Sequence, residues 1–355
     1  MTASKQRIQE KDKVSASTFW ELLEKRAALN PDRLFLIEGD GAKGKVTVAE
    51  TLARAERLAA GLYAMGIGPK TVVAWQMPTR LDTLILFFAL ARIGAVQNPI
   101  LHLFRERELK DIMVQTKPEW FFVPGAEASC DYPELASTVA ADVGFKPFVL
   151  EGDWPAGDPA TLPPAPTSDQ AVRWLYCTSG TTSGPKAVMH TDSSLIGGGH
   201  SLGESAGTVE GDVYSIAYPV AHIGGAISMV MMLEHGLPAV MVERFDPAAI
   251  AGSFREHNVT MIGGSTAHYQ AWLEFQRQSP DQKVLPDLRI MSGGGASKPP
   301  QLYQQTLDLL NVPLVHNYGM TECPMATMNE PSGSVEHLTY SDGRSAVDME
   351  AVSYT

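Results

Sequence analysis

Apolar positions along the chain switch repeatedly between two spacings. Phe19, Leu22, Leu23 and Ala27 recur at three- and four-residue intervals and share one helical face, opened by the capping-box spelling Thr18-x-x-Glu21. Thr47-x-x-Glu50 repeats the device ahead of the stripe Leu52, Ala55, Leu58, Ala59 and Leu62, and Gly66 marks its stop. Between helical stretches stand short unbroken apolar runs at 72–75 and 120–123, the pattern of strands buried on both faces. Residues 151–169 carry prolines at 155, 159, 163, 164 and 166 and read as a linker or a long surface crossover. Beyond it strands are expected at 172–176, 239–242, 259–262 and 288–291, and helices near 246–256, 266–277 and 299–310. Strand–helix alternation of this kind predicts an α/β chain whose mostly parallel sheets are covered by helices. It divides into 1–170, 171–330 and a thinner remainder, 331–355.

Composition narrows the classes. At 355 residues with 44% hydrophobic content the chain can bury a large core. A net charge of −12 without a long basic cluster excludes nucleic acid as the expected partner. Cys130, Cys177 and Cys323 have no metal-ligand spacing, and their odd number speaks against a disulfide framework, so reduced thiols in the cytoplasm are expected. The first residues are polar and lack the apolar core of a signal peptide. The most apolar segment, 81–96, is broken by Asp82 and Arg92 and is too short to span a bilayer. Oligomeric state stays open.

The chemistry concentrates at 176–187, Tyr-Cys-Thr-Ser-Gly-Thr-Thr-Ser-Gly-Pro-Lys-Ala. Thr178, Ser179, Thr181 and Thr182 bring hydroxyl donors, Gly180 lets backbone N–H groups approach an anion, and Lys186 supplies a cation. The density of hydroxyls directly after an apolar run favours a polyphosphate loop over a polar surface turn. It is not the nucleoside-triphosphatase loop, because Pro185 precedes Lys186 and Ala187 follows where that motif needs a hydroxyl. Two further segments stand out, Met-Ser-Gly-Gly-Gly-Ala-Ser at 291–297 and Asn-Tyr-Gly-Met-Thr-Glu at 317–322. Gly199-x-Ser201-x-Gly203 and Gly203-x-Ser205-x-Gly207 fit the spelling of a nucleophile elbow, but the glycine-rich, polar residues before them do not make the buried strand that an elbow needs. A helix and loop behind the phosphate segment is expected there.

The three segments, in this order, resemble the signatures of the acyl-adenylate-forming enzymes, which include acyl-CoA synthetases, nonribosomal peptide adenylation domains and luciferases. The first departs from the usual Thr-Ser-Gly-Thr-Thr-Gly-x-Pro-Lys-Gly at Ser183 and Ala187, both small. The resemblance covers roughly 18–330 and implies two αβαβα subdomains with the active site between them. It implies that Thr178, Ser179, Gly180, Thr181, Thr182 and Lys186 hold the ATP phosphates. Gly293, Gly294, Gly295 and Ala296 would flank the adenine with Asn317, Tyr318 and Met320, the Tyr318 ring stacking on it. Gly319 would let the acyl group pass the backbone, Thr321 would hydrogen-bond phosphate, and Glu322 would ligate Mg²⁺. His222 and Ala221 would line the acyl pocket, with Gly264 and Ser265 as its floor; with Lys186, Thr321 and Glu322, His222 makes up the expected catalytic set. Amino-acid-activating relatives place an aspartate near His222, and its absence favours an uncharged acyl chain or ring.

The activity implied is ATP-dependent activation of a small-molecule carboxylic acid through acyl-AMP, with transfer to coenzyme A. Loading of a carrier protein, or nucleotide and acyl binding without turnover, are the alternatives. Relatives continue into a small β-barrel and a mobile C-terminal domain that carry a ribose aspartate, a hinge and a catalytic lysine. Residues 331–355 are therefore expected to begin an incomplete barrel, and the 355-residue chain to adenylate poorly by itself. Asp342-Gly343-Arg344 and Asp348 resemble the hinge spelling but fall too soon after Glu322, and a solvated turn is expected instead.

Overall fold

The computed structural model describes residues 6–39, 44–152, 154–178 and 185–346. Helix α1 (Phe19–Leu29) is followed by β1 (Leu34–Glu38), β2 (Lys45–Thr47) and α2 (Val48–Ala64). Both expected caps form. The Thr18 side chain accepts from the Glu21 amide, and at α2 the Thr47 hydroxyl accepts from Glu50 N while the Glu50 carboxylate accepts from Thr47 N. Then β3 (Val72–Trp75), α3 (Leu81–Arg92), β4 (Val96–Pro99), α4 (Glu106–Thr116), β5 (Trp120–Pro124), α5 (Tyr132–Val143) and β6 (Lys146–Leu150) alternate strictly. After the proline-rich stretch come β7 (Val172–Thr178), β8 (Lys186–Thr191), α6 (Asp192–Ala206), β9 (Tyr214–Ile216) and α7 (Ile223–His235). The chain continues through β10 (Ala239–Met241), α8 (Pro247–Glu256), β11 (Met261–Gly264), α9 (Thr266–Arg277), β12 (Ile290–Gly293) and α10 (Pro300–Leu310). The last described elements are β13 (Leu314–Met320), β14 (Cys323–Met328), α11 (Val335–Tyr340) and β15 (Arg344–Ser345).

Two mostly parallel sheets result. The smaller runs β6-β5-β3-β4-β7-β8, antiparallel only at β8. The larger runs β2-β1-β10-β9-β11-β12-β13-β14-β15, antiparallel at β2, β14 and β15. Sheet membership crosses residue 170: β1 and β2 join the larger sheet through β10, and β7 and β8 join the smaller through β4.

Alternate residues of each strand face different cores. Val73 and Trp75 join a central cluster with α1, α2, α3, α6 and α7, whereas Ala74 between them faces α4 and α5. In the larger sheet Met261 and Ile290 face the same central helices, and Ile262 and Met291 face α8, α9 and α10. The layers therefore stack helix, sheet, helix, sheet, helix. Helices α3 and α7 are buried nearly all round, as a helix held between two sheets must be. Arg80, just before α3, ties the layers by pairing with Glu243 at 2.5 Å and Glu127 at 2.8 Å. No helix among the described residues is long and apolar enough to cross a membrane.

The strand pairings and contacts refine the expectations. The expected loop 177–186 is shorter at both ends, because Cys177 and Thr178 continue β7 and Lys186 opens β8, with Thr178 paired to Lys186 and Cys177 to Ala187. A β-branched Thr178 and an alanine where glycine is usual both suit a ladder. Of the stretch expected to begin a barrel, the described part, 331–346, forms α11 and the short β15, which pairs with β14 at the edge of the larger sheet, and the described residues contain no closed barrel. The proline-rich crossover is fastened to the helices it passes, with Gly157 N donating to Arg57 O and Arg92 Nη1 to Pro163 O. Ser201, Ser205 and their glycines lie inside or at the end of α6, away from any elbow.

Candidate active site

The candidate site lies where the parallel strands of the larger sheet end, the place at which α/β sheets bind ligands. Ser215 of β9 pairs with Ile262 of β11, Gly264 with Gly293 of β12, and Gly293 with His316 of β13, so these strand ends lie side by side. The glycines are needed because the strands meet other atoms closely. A Cβ on Gly293 would lie 1.9 Å from Gly264 O, and one on Gly294 would lie 2.1 Å from Asn317 Oδ1. Asn317 is thereby drawn against the Gly293–Gly294–Gly295–Ala296 turn. His316, buried on β13, has Nε2 at 3.1 Å from Ala296 O and Nδ1 at 2.7 Å from an Asp342 carboxylate oxygen. The Asp342–Gly343 turn is thus tied back to the glycine turn, and Thr327 donates to its carbonyl. Asp348 lies outside the described residues.

Tyr318, Gly319 and Met320 extend β13 as an antiparallel hairpin with β14, and Tyr318 is half-exposed, its ring free to take a partner. Thr321 and Glu322 form the turn, with the Glu322 side chain exposed. A contact from the other sheet fixes this turn. His190 of β8 has Nε2 at 2.6 Å from Thr321 O, and its Nδ1 lies 3.0 Å from the Ser194 hydroxyl. The Thr321 carbonyl can only accept, so Nε2 carries the proton, and in the neutral ring Nδ1 is an acceptor within reach of the Ser194 hydroxyl, which the Thr191 carbonyl also faces. Burial pushes the His190 pKa below its ordinary value against the Thr321 hydrogen bond and the Glu322 charge, which keeps that neutral form in place.

Lys186 stands exposed at the head of β8, and Thr178 is partly buried at the end of β7. Ser179, Gly180, Thr181 and Thr182 lie outside the described residues. The strand leaving the hydroxyl-rich segment and the Thr321–Glu322 turn are nonetheless joined through His190. The base of β8 is anchored by a buried pair at the start of α6, where Asp192 accepts from Arg173 at 2.6 Å and from the Trp174 indole at 2.7 Å.

The residues expected to line the acyl pocket gather around the first turn of α7 and the end of β11. His222 caps that helix, Nδ1 accepting from Gly224 N at 3.1 Å. Its ring reaches solvent, while the surrounding protein lowers its pKa. Ala221 is buried in the central core. Gly264 ends β11 and Ser265 precedes α9, the Ser265 hydroxyl lying 2.9 Å from His268 Nδ1. Motif reading did not single out His190 or Ser194, and it took Asp342 only for part of a solvated turn; contacts between distant segments give them their places.

Residues 23–352 match a family described as AMP-binding enzymes. A feruloyl-CoA synthase from Amycolatopsis sp. is 31% identical over 302 residues, which cover 84% of this chain and 58% of that protein. The chain thus spans little more than half the length of that relative. The inhibitor-bound N-terminal domain of FACL13 from Mycobacterium tuberculosis superposes with a TM-score of 0.81 at 24% identity, covering 93% of this chain and 82% of that one. The o-succinylbenzoate CoA synthetase of Bacillus subtilis, solved with an acyl-adenylate, gives a TM-score of 0.76 at 22% identity over 92% of this chain and 81% of that one. With two mostly parallel sheets, glycine-rich strand ends beside Tyr318, and a family match over residues 23–352, this chain belongs to the AMP-binding enzymes.

Proposed function

We propose that the chain carries the adenylating site of an AMP-forming acid–thiol ligase. The carrying observation is the convergence of segments far apart in sequence. The β7–β8 segment meets the Thr321–Glu322 turn through His190, and the same β13 strand meets the glycine turn through His316. In this reading the carboxylate oxygen of the acid attacks the α-phosphorus of ATP, pyrophosphate leaves, and the acyl-AMP stays bound. A thiolate then attacks the acyl carbon and AMP departs with the carboxylate oxygen it gained. The protein positions the reactants and neutralises charge. Thr178, Ser179, Gly180, Thr181, Thr182 and Lys186 serve the phosphates, Thr321 donates to phosphate, and Tyr318 stacks on the adenine beside Asn317 and Met320.

Magnesium is held through one or two carboxylates together with substrate phosphates, and an exposed, acceptor-only Glu322 fits that demand. When bound, the ion would neutralise phosphate charge. Ala221, His222, Gly264, Ser265 and Gly319 border the acyl group. Coenzyme A as the thiol rests on the names of the relatives, among them feruloyl-CoA synthase and 2-succinylbenzoate–CoA ligase. A cytoplasmic setting is supported by three cysteines that form no disulfide.

Incubation with ATP, magnesium and a panel of acids, followed by mass spectrometry, tests the reading. Acid-dependent acyl-AMP is expected at a low rate, with little thioester on adding coenzyme A. Thioester only with a carrier protein would replace the acceptor, and nucleotide bound without any acyl-AMP would replace the reaction.

A further inference from the structure

Behind the glycine strand ends stands a wall of tyrosines. Tyr218 follows β9 and runs its ring between Gly263 of β11 and Gly224 of α7. A Cβ on Gly263 would lie 3.0 Å from the Tyr218 ring and 2.0 Å from the Tyr214 hydroxyl, and one on Gly224 would lie 3.9 Å from the Tyr218 ring. The ring's far end reaches one helical turn further along α7, where the Tyr218 hydroxyl lies 2.5 Å from Ser228 Oγ. Tyr214 completes a triangle of hydroxyls, 3.1 Å from Tyr218 and 3.4 Å from Ser228. Three hydroxyls that each donate once and accept once satisfy one another, so the group is stable without water. Tyr214 and Ser228 are almost wholly buried. Beneath Gly264 a third ring closes the floor, with the Tyr269 hydroxyl donating to Gly264 O at 2.8 Å. Burial holds the Tyr214, Tyr218 and Tyr269 hydroxyls protonated, so they stay hydrogen-bond donors.

These residues lie directly behind His222, Gly264 and Ser265, the residues assigned above to the acyl group. The Tyr218 ring fills the space between the end of β11 at Gly263 and the first turn of α7 at Gly224, and its hydroxyl is held by Ser228. Tyr218 is itself partly exposed, whereas Tyr214 and Ser228 behind it are buried. We infer that Tyr218 closes the acyl pocket and that the acid it takes is compact, a short-chain or single-ring carboxylic acid rather than a long-chain one. The inference rests on the proposed function, which places the acyl group beside these residues.

The test needs no turnover. Acyl-sulfamoyl adenosines, stable mimics of acyl-AMP, are titrated by calorimetry into the full chain with acyl groups from acetyl to dodecanoyl, plus benzoyl, with AMP as reference. Wild-type affinity is expected to rise over the first few methylenes and to fall for octanoyl and longer groups, with benzoyl among the tighter ligands. Tyr218→Ala moves the limit outward, each added methylene that reaches the vacated space gaining about fourfold. Tyr218→Phe, which keeps the ring, leaves the limit where it was and controls for loss of the hydroxyl network. Wild-type affinity that climbs steadily to dodecanoyl, or a Tyr218→Ala chain whose affinities all change by the same factor, overturns the inference while leaving the proposed function intact. Failure of AMP and of every mimic to bind the folded wild-type chain overturns both.

Discussion

His235 at the end of α7 offers a prediction that can be worked in numbers. Its ring is buried, with Nδ1 2.5 Å from the Thr208 hydroxyl, in the space left by the missing side chain of Gly203. Burial, reinforced by the nearby Lys13, lowers its pKa from 6.5 to about 4 against the opposing pull of Glu204. A base with a depressed folded pKa is neutral in the native state, while the unfolded chain takes up a proton below pH 6.5. The contribution is therefore fully present above pH 6.5 and is lost as pH falls toward 4. The shift, from 6.5 to about 4, is equivalent to about 3 kcal/mol once both forms are protonated, and roughly 2 kcal/mol of it is lost between pH 7 and 5. Urea unfolding of wild type and His235→Gln at both pH values measures this directly. The substitution keeps a polar partner for Thr208 and destabilises at pH 7, but its penalty should shrink by about 2 kcal/mol at pH 5, because the mutant has no proton to gain there. A penalty equal at the two pH values would refute the assignment of the acid limb to His235.

Three further outcomes follow from the same contacts. Asp192→Ala leaves Arg173 buried without its carboxylate and should cost about 3–5 kcal/mol in unfolding free energy, whereas loss of under 1 kcal/mol would show the pair is not buried in solution. Tyr318→Ala should weaken AMP binding by about 1–3 kcal/mol in calorimetry, the range for a base stacked on an aromatic ring, and Glu322→Gln should weaken the magnesium dependence of ATP binding while sparing AMP. His190→Ala should raise the magnesium concentration needed for ATP binding severalfold through the freed Thr321 carbonyl, and His190→Gln, whose amide can donate to that carbonyl, should restore it in the same titration.

Much of this architecture is legible in the chain because local signals and tertiary needs agree. Thr18 and Thr47 cap the helices they precede, and the apolar runs at 72–75 and 120–123 become central strands. Helix α7 escapes periodicity because it is buried on every side and carries no polar stripe for a 3.6-residue pattern to reveal. Strand β9, three residues long, gives too short a run to read. The β7–β8 hairpin is hidden because hydroxyl and glycine residues suit both a phosphate loop and a turn between paired strands. Motif spelling brings out Tyr318, Glu322 and the glycine turn, but His190 acts on a backbone carbonyl of another segment, and the Asp342 contact with His316 joins segments 26 residues apart, which leaves no local pattern. The glycines at 263 and 293 show in the sequence only as small residues; the tyrosines and backbone atoms they admit become visible in the packed sheet.

The central claim is attack by a carboxylate oxygen on the α-phosphorus of ATP, and isotope transfer tests it most directly. A compact carboxylic acid labelled with oxygen-18 in both carboxyl oxygens is incubated with the protein, ATP, magnesium and coenzyme A, and the released nucleotide is weighed by mass spectrometry. The account predicts AMP carrying one oxygen-18, with unlabelled pyrophosphate. Label appearing in inorganic phosphate alongside ADP would mean attack at the γ-phosphorus and would contradict it.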